Sequence, residues 1–526
     1  MAATDAAPSQ SRGSIATLPW DAALLVLLFA GLAARVLSYE LRLDEQLYIP
    51  PAALLAEQAL YADFFYNHPP LSAIYFRLIH LLTGAEDLVR SARFGVVLAW
   101  AATLALVWGA SFSLSRSRLV ALFCVLALEV NVYLLTVVGM TATNNFLQIG
   151  PIYAGLALFA HGAMSPSRRA LWTFLSGVSL SLAIGVKLSA VYYVPPLAMA
   201  TLFVPWDLPF RQRLLSMTLP MALGGLVGAV PLAAFLVADP DRFLGHIVGY
   251  HLGPHVAYWD VTRHAQDVVA FGLGEKLRLA FDVWFQGTNL LILAAVFAFL
   301  GLGMAADRRV PWDLWSALGL AILFAAGLSF LPTPSFPQYF VPPLAGLVLM
   351  PALLWRAVDD ARRVAAIPIL IALAGLMVVV GSPRLLESSA TLALGGPTTA
   401  DRVEAAADQL RAALPGEPSG PVATLAPVYV LEAELPVYPE FATGQFAYRV
   451  APMAPPETMS HYVTTGPGQV GQLFDANPPA ALLTGFSDAL EAPMIAWARA
   501  NGYAPVPAVS FQDRYGTAVL WLPEPQ

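Results

Sequence analysis

Arg42-Leu43-Asp44-Glu45, then Tyr48, then Asp63-Phe64-Phe65-Tyr66-Asn67-His68-Pro69-Pro70: this stretch sets two carboxylates and an aromatic turn directly after the first apolar segment of the chain. Carboxylates held at the edge of a bilayer are partly desolvated, which raises their pKa and makes them stronger bases. The stretch therefore reads as a reactive boundary loop of a membrane protein, facing something that arrives through lipid.

The rest of the chain fits that setting. Of 526 residues 58% are hydrophobic and 12% charged, too apolar for one soluble domain. Apolar runs of spanning length, about 20 residues each, recur up to residue 381. Eleven are expected: 20–37, 93–113, 119–138, 146–164, 170–186, 190–204, 214–237, 288–305, 312–331, 338–353 and 363–381. Arg116 and Arg118, Arg168 and Arg169, Arg211 and Arg213, Arg308 and Arg309, and Arg356, Arg362 and Arg363 fall in alternate loops. The positive-inside rule makes those loops cytoplasmic, and an odd number of spans puts the N-terminus inside and the tail outside. The net charge of −7, with no basic stripe, argues against nucleic acid. The single cysteine, Cys124, excludes an intramolecular disulfide framework and a cysteine-based zinc site.

Residues 1–18 read as a disordered cytoplasmic lead, and 19–382 as the transmembrane domain, with external loops at 38–92 and 239–280. In the first loop, Pro51–Leu60 and Pro70–Leu82 are expected surface helices. From 384 to 526 Pro, Gly, Glu and Asp rise and no span follows. There, helices at Asp401–Leu414 and Ser487–Asn501 and strands at Val422–Leu431, Ala480–Thr484 and Thr517–Leu522 predict a small external α/β domain, without a catalytic motif.

Several residues carry two readings. Asp44 is a base for an acceptor hydroxyl, or Asp44 and Glu45 anchor the loop in water. His68 is a substrate contact or caps the following helix. Lys187, one of only two lysines in the chain, has a functional role or snorkels to the interface. Tyr339 is a ligand contact or part of an aromatic belt. Glu129, within the third expected span, is functional or is neutralised, by a proton or by Arg35 or Arg93. His246, His251, His255 and His264 crowd one external loop. His251 and His255 have the i,i+4 spacing of metal ligands, but Pro254 between them disfavours a continuous helix. A zinc site on this loop and a divalent ion shared with Glu45 are both open; so is a loop folded over a substrate, with Tyr258, Trp259 and Arg263 in contact with it.

The acid pair after the first span, Tyr48, the segment Asp63–Pro70 and Arg93 leading into the second span resemble the polytopic GT-C glycosyltransferases, in the bacterial branch related to protein O-mannosyltransferases and lipid A aminoarabinose transferases. Gly185-Val186-Lys187 and Pro337-Gln338-Tyr339-Phe340 match more weakly. The resemblance implies a GT-C fold and transfer of a sugar from a polyprenyl-phosphate donor on the periplasmic or outer face of a bacterial inner membrane. The acceptor would be an envelope glycan, a glycolipid or a protein. It makes Asp44 the catalytic base of an inverting displacement, Glu45 its support or a metal ligand, and His68, Lys187, Tyr339 and Arg263 the donor-phosphate contacts. Tyr48, Tyr66, Asn144, Gln338 and Trp259 would contact substrate. One departure stands out: Thr141-Ala142-Thr143-Asn144-Asn145 has no carboxylate where many relatives carry an acid. The rival classes are a transporter or flippase of lipid-linked sugars, against which stands the lack of an internal repeat, and an inactive envelope scaffold.

Overall fold

The computed structural model describes residues 20–84, 87–262, 269–305, 311–414, 416 and 418–524; the expected lead 1–18 and the candidate Arg263 lie outside them. Among the described residues, eight helices are long and apolar enough to cross a membrane: Trp20–Ser38, Leu88–Ser115, Asn144–Met164, Pro166–Val186, Phe210–Ala238, Gly287–Met304, Pro337–Trp355 and Asp360–Ala393. The other three expected spans are shorter helices, for local reasons. The third stops at Arg118–Glu129, because Asn131 turns the chain by accepting from the amides of Tyr133 and Leu134. The sixth, Leu188–Ala200, opens as a 3-10 turn and carries Pro195 and Pro196 at its change to α-helix, while Trp312–Leu328 has 17 residues.

The helices define two ends. At one, Arg118 pairs with Asp21 at 3.0 Å, and the Trp206 amide donates to Asp313. At the other, Arg35 donates to the Leu135 carbonyl and Asn131 to Asn289. The Asp44 loop belongs to this second end. Leu71–Thr83 follows Pro70 much as expected, whereas the helix expected over Pro51–Leu60 is only Pro50–Leu54.

The tail packs onto the same end. The boundary expected at 384 falls inside the helix Asp360–Ala393, and the first tail element is the helix Thr399–Ala413, opened by a Thr398–Asp401 capping box. The sheet has four strands: β1 (Val422–Thr424), β2 (Ala481–Thr484), β3 (Tyr503–Val506) and β4 (Val519–Pro523), in the order β1-β2-β4-β3. β1 and β2 are parallel, and β4 is antiparallel to both β2 and β3. The strand expected to run through Leu431 ends at Thr424: Pro427 starts the helix Pro427–Glu432 instead. The tail is fastened at Gln46, whose side chain accepts from the Val428 amide at 2.9 Å, and at Leu43, whose amide donates to the Tyr515 hydroxyl at 2.8 Å.

Candidate functional site

Asp44 and Glu45 part company immediately. Glu45 is fully buried and clamped by Arg93, which donates to both carboxylate oxygens at 2.8 and 2.7 Å. The amides of Ala142 and Arg42 donate to the same two oxygens, and the remaining Arg93 donors reach the carbonyls of Val36, Met140 and Glu40. No lone pair is left for a metal, so Glu45 as a metal ligand is corrected: it is a buried structural anion. Arg93 is thereby taken from Glu129, and Arg35 spends its donors on Leu135, Arg384 and Ser388. Glu129 is buried with one carboxylate oxygen lacking a hydrogen-bond partner.

Asp44 heads the four-residue helix Glu45–Tyr48 without capping it. Its side chain is half-buried and lines a polar chamber of about 290 Å³. Burial raises its pKa; Arg449, Lys187 and Arg42 oppose that rise and Glu45 adds to it. Tyr48, His68, Trp259, Gln338 and Tyr339 line the same chamber, so the structure brings most of the sequence candidates together.

Lys187 arrives there through a helix end. Gly185 lies so close to Leu71 that a Cβ would sit 2.5 Å from its Cδ1, and this approach sets the last turn of Pro166–Val186 against the His-Pro-Pro corner. Lys187 then breaks into an extended conformation, is buried, and donates to the Asn145 side chain. Its ammonium lies 5.7 Å from the Tyr339 ring centre. Burial pushes its pKa down to about 8, against the pull of Asp44.

Burial works against charge on the chamber histidines. His68 stacks on Tyr48 at 5.1 Å and 15°, and burial, with His251 and Lys187 nearby, holds its pKa well below the usual range. It lines both the chamber and the adjoining groove, where a neutral imidazole can offer one donor and one acceptor. His251 is also pushed down, to about 4, and one of its ring nitrogens pairs with the Asn67 carbonyl at 2.8 Å. The helix breaks at Gly253 between His251 and His255, whose rings lie 5.5 Å apart. Among the described residues no group of three or more His, Cys, Asp or Glu could hold a metal ion.

Two sequence candidates stand aside. Asn144 donates to the Val186 carbonyl, and its neighbour Asn145 lines the chamber instead. Tyr66 is bonded to Ser72 at 2.7 Å and meets Tyr48 edge-on, behind the wall. The residue that sequence reasoning missed is Arg449. Gly444, at φ +69°, turns the tail chain against Gln46 and Leu425, which directs Gln445–Tyr448 and the following Arg449 into the chamber. Arg449 is buried among the rings of Phe446, Tyr258 and Trp259, with its guanidinium carbon 4.8, 5.0 and 5.3 Å from their centres.

At Lys187, His68 and Tyr339 the chamber joins a second cavity of about 510 Å³, walled by apolar residues such as Val191, Val248, Leu252, Val256 and Leu331. A charged chamber thus opens onto a greasy groove, with a lysine at the junction.

No family model and no curated protein matches the chain. Among solved structures, ArnT from Cupriavidus metallidurans bound to undecaprenyl phosphate aligns with a TM-score of 0.61 at 18% identity, over 96% of this chain and 99% of that one. Its apo state aligns with a TM-score of 0.60 at 16% identity, over 96% and 98%. ArnT is a lipid A aminoarabinose transferase of the GT-C class. This chain is a multi-pass membrane protein with the GT-C fold.

Proposed function

We propose that this protein is a membrane glycosyltransferase that moves a sugar from a polyprenyl-phosphate carrier to an acceptor hydroxyl. The observation that carries the reading is the junction at Lys187: a polar chamber holding Asp44 meets an apolar groove at a buried lysine. A lipid phosphate with its chain in the groove would present its head at that point. That ArnT is seen bound to undecaprenyl phosphate on the same fold agrees with such a donor.

In this reading Asp44 takes the proton of the acceptor hydroxyl as the oxygen attacks the anomeric carbon from the face opposite the phosphate. The carrier phosphate leaves with the bonding pair, and the sugar is inverted. Lys187, seated beside Asn145 and Tyr339, stabilises the charge that grows on the departing phosphate. Tyr48 and His68 shape the wall, and Gln338 offers amide contacts. Glu45, locked to Arg93, fixes the backbone from which Asp44 projects. The arginine-bearing loops and the N-terminus face the cytoplasm, and the chamber and the tail face the periplasmic or outer side of a bacterial inner membrane. The acceptor is an envelope glycan, glycolipid or protein.

The test is transfer or release of radiolabelled sugar from a panel of polyprenyl-phosphate donors, with added envelope extract, by protein in nanodiscs. Turnover by wild type and its loss in Asp44→Asn is the expected result. Equal turnover by the two proteins, or movement of labelled lipid across the bilayer without turnover, overturns the proposal.

A further inference from the structure

Five buried polar atoms on the chamber wall have no hydrogen-bond partner: Asn67 Oδ1, both ring nitrogens of His255, Trp259 Nε1 and Arg449 Nε. The four side chains are only 3, 8, 5 and 6% exposed. A buried polar atom left unpaired is costly, so a cluster of them facing one cavity marks where a polar ligand belongs. Their chemistry is mixed. Arg449 and Trp259 only donate, Asn67 Oδ1 only accepts, and His255, kept neutral by burial, offers one donor and one acceptor. A hydroxyl-rich ring, each hydroxyl both donor and acceptor, satisfies such a set.

Position narrows the assignment. Arg449, Trp259 and Asp44 line the polar chamber and not the apolar groove, whereas Lys187, Asn67 and His255 line both and so sit at the junction. If the carrier phosphate lies at Lys187, the group it carries must project into the chamber, towards these unpaired atoms. Charge narrows it further. By formal charge the chamber wall carries one acidic residue, Asp44, and two basic ones, Lys187 and Arg449, with its histidines counted neutral. Two cations, one carboxylate and one phosphodiester sum to zero. A charged substituent on the sugar would leave a net charge among largely buried groups, which is costly. An ammonium would also be a third cation beside Arg449.

We propose that Asn67, His255, Trp259 and the tail residue Arg449 form the glycosyl subsite of this enzyme, and that the sugar they select is uncharged, bearing hydroxyls in place of amino or carboxyl groups. This rests on the carrier-dependent reading above, and the test separates the two. Protein in nanodiscs is titrated with three probes: bare undecaprenyl phosphate, the same carrier bearing glucose or mannose, and the carrier bearing 4-amino-4-deoxyarabinose. Wild type is expected to bind a neutral glycosyl carrier at least tenfold more tightly than the bare or amino-sugar carrier. Trp259→Phe, which trims the indole to a single ring and removes its N–H, should reduce that preference while leaving bare-carrier affinity within about twofold, and Arg449→Gln should reduce it as well. Lys187→Met should weaken all three probes together. Wild type that binds no carrier sinks the functional proposal and this one with it. Carrier binding without preference for neutral sugars, an amino-sugar probe bound as tightly as the neutral ones, or a loss of bare-carrier affinity in Trp259→Phe overturns the subsite alone.

Discussion

Asp44 and Glu45 are chemically near-identical neighbours, and the molecule treats them in opposite ways. Glu45 lies in a closed network with both oxygens saturated by Arg93 and two amides. Asp44 faces a cavity, caps nothing, and is balanced only by more distant cations. A carboxylate with every lone pair committed can hold a fold together but cannot accept a proton in a reaction cycle. One left uncommitted and partly desolvated can. Rigidity at the first residue is what lends precision to the second.

Two substitutions put this contrast at its sharpest. Asp44→Asn preserves shape and removes the base, so turnover of a glycosyl carrier should fall about 10²- to 10⁴-fold with the thermal unfolding midpoint unchanged. A lowered midpoint would make Asp44 structural as well. Glu45→Gln should act through the other channel. It leaves the Arg93 guanidinium buried without its counter-charge, a loss of about 3–5 kcal/mol of stability, read as a depressed unfolding midpoint in detergent. Adding Arg93→Met to that variant should restore part of the loss, since the orphaned charge is then gone. If Glu45→Gln unfolds normally but loses turnover, the division of labour is wrong.

Lys187 tests the chamber side with a smaller effect. Below about pH 8 the side chain carries its proton and affinity for undecaprenyl phosphate should be flat. As pH rises through that value the free protein loses the cation, so binding must pay for reprotonation and weakens by up to tenfold per pH unit. Lys187→Arg should hold its affinity to pH 10. A flat wild-type profile from pH 7 to 10 would remove Lys187 from the phosphate site.

These residues differ in how openly the chain announces them. Asp44, His68, Lys187 and Tyr339 sit beside punctuation a reader can see: the end of an apolar run, Pro69-Pro70, Gly185, Pro337. The three short spans were visible as apolar runs, but Asn131 and the Pro195-Pro196 pair cut the helices short in ways that hydropathy averages away. Asn144 and Asn145 illustrate phase: one residue along a helix is a rotation of about 100°, and which asparagine faces the cavity depends on where that helix starts. That Glu45 is wholly committed could not be read from the chain, because its partner Arg93 lies on another helix. Arg449 was invisible for a stronger reason. Nothing around it resembles a site, and it reaches the chamber only because Gly444 adopts a left-handed turn against Gln46.

The smallest expected effect asks whether Arg449 acts on Asp44 across that domain junction. Asp44 works as a base only when ionised, so kcat should rise with pH through its pKa, giving an acid limb displaced upward from the ordinary carboxylate range. Burial drives that displacement and Glu45 adds to it, while Arg449, Lys187 and Arg42 pull the other way. Removing one of the opposing charges therefore moves the limb to higher pH, never lower. Arg449→Gln, measured at saturating donor so that weaker sugar binding does not enter, should show that upward movement. His68→Gln should not, because the ring it replaces is already neutral. Identical limbs in wild type and Arg449→Gln would mean that the guanidinium spends its charge on the surrounding aromatic rings and on substrate, and that Asp44 is tuned from the membrane domain alone.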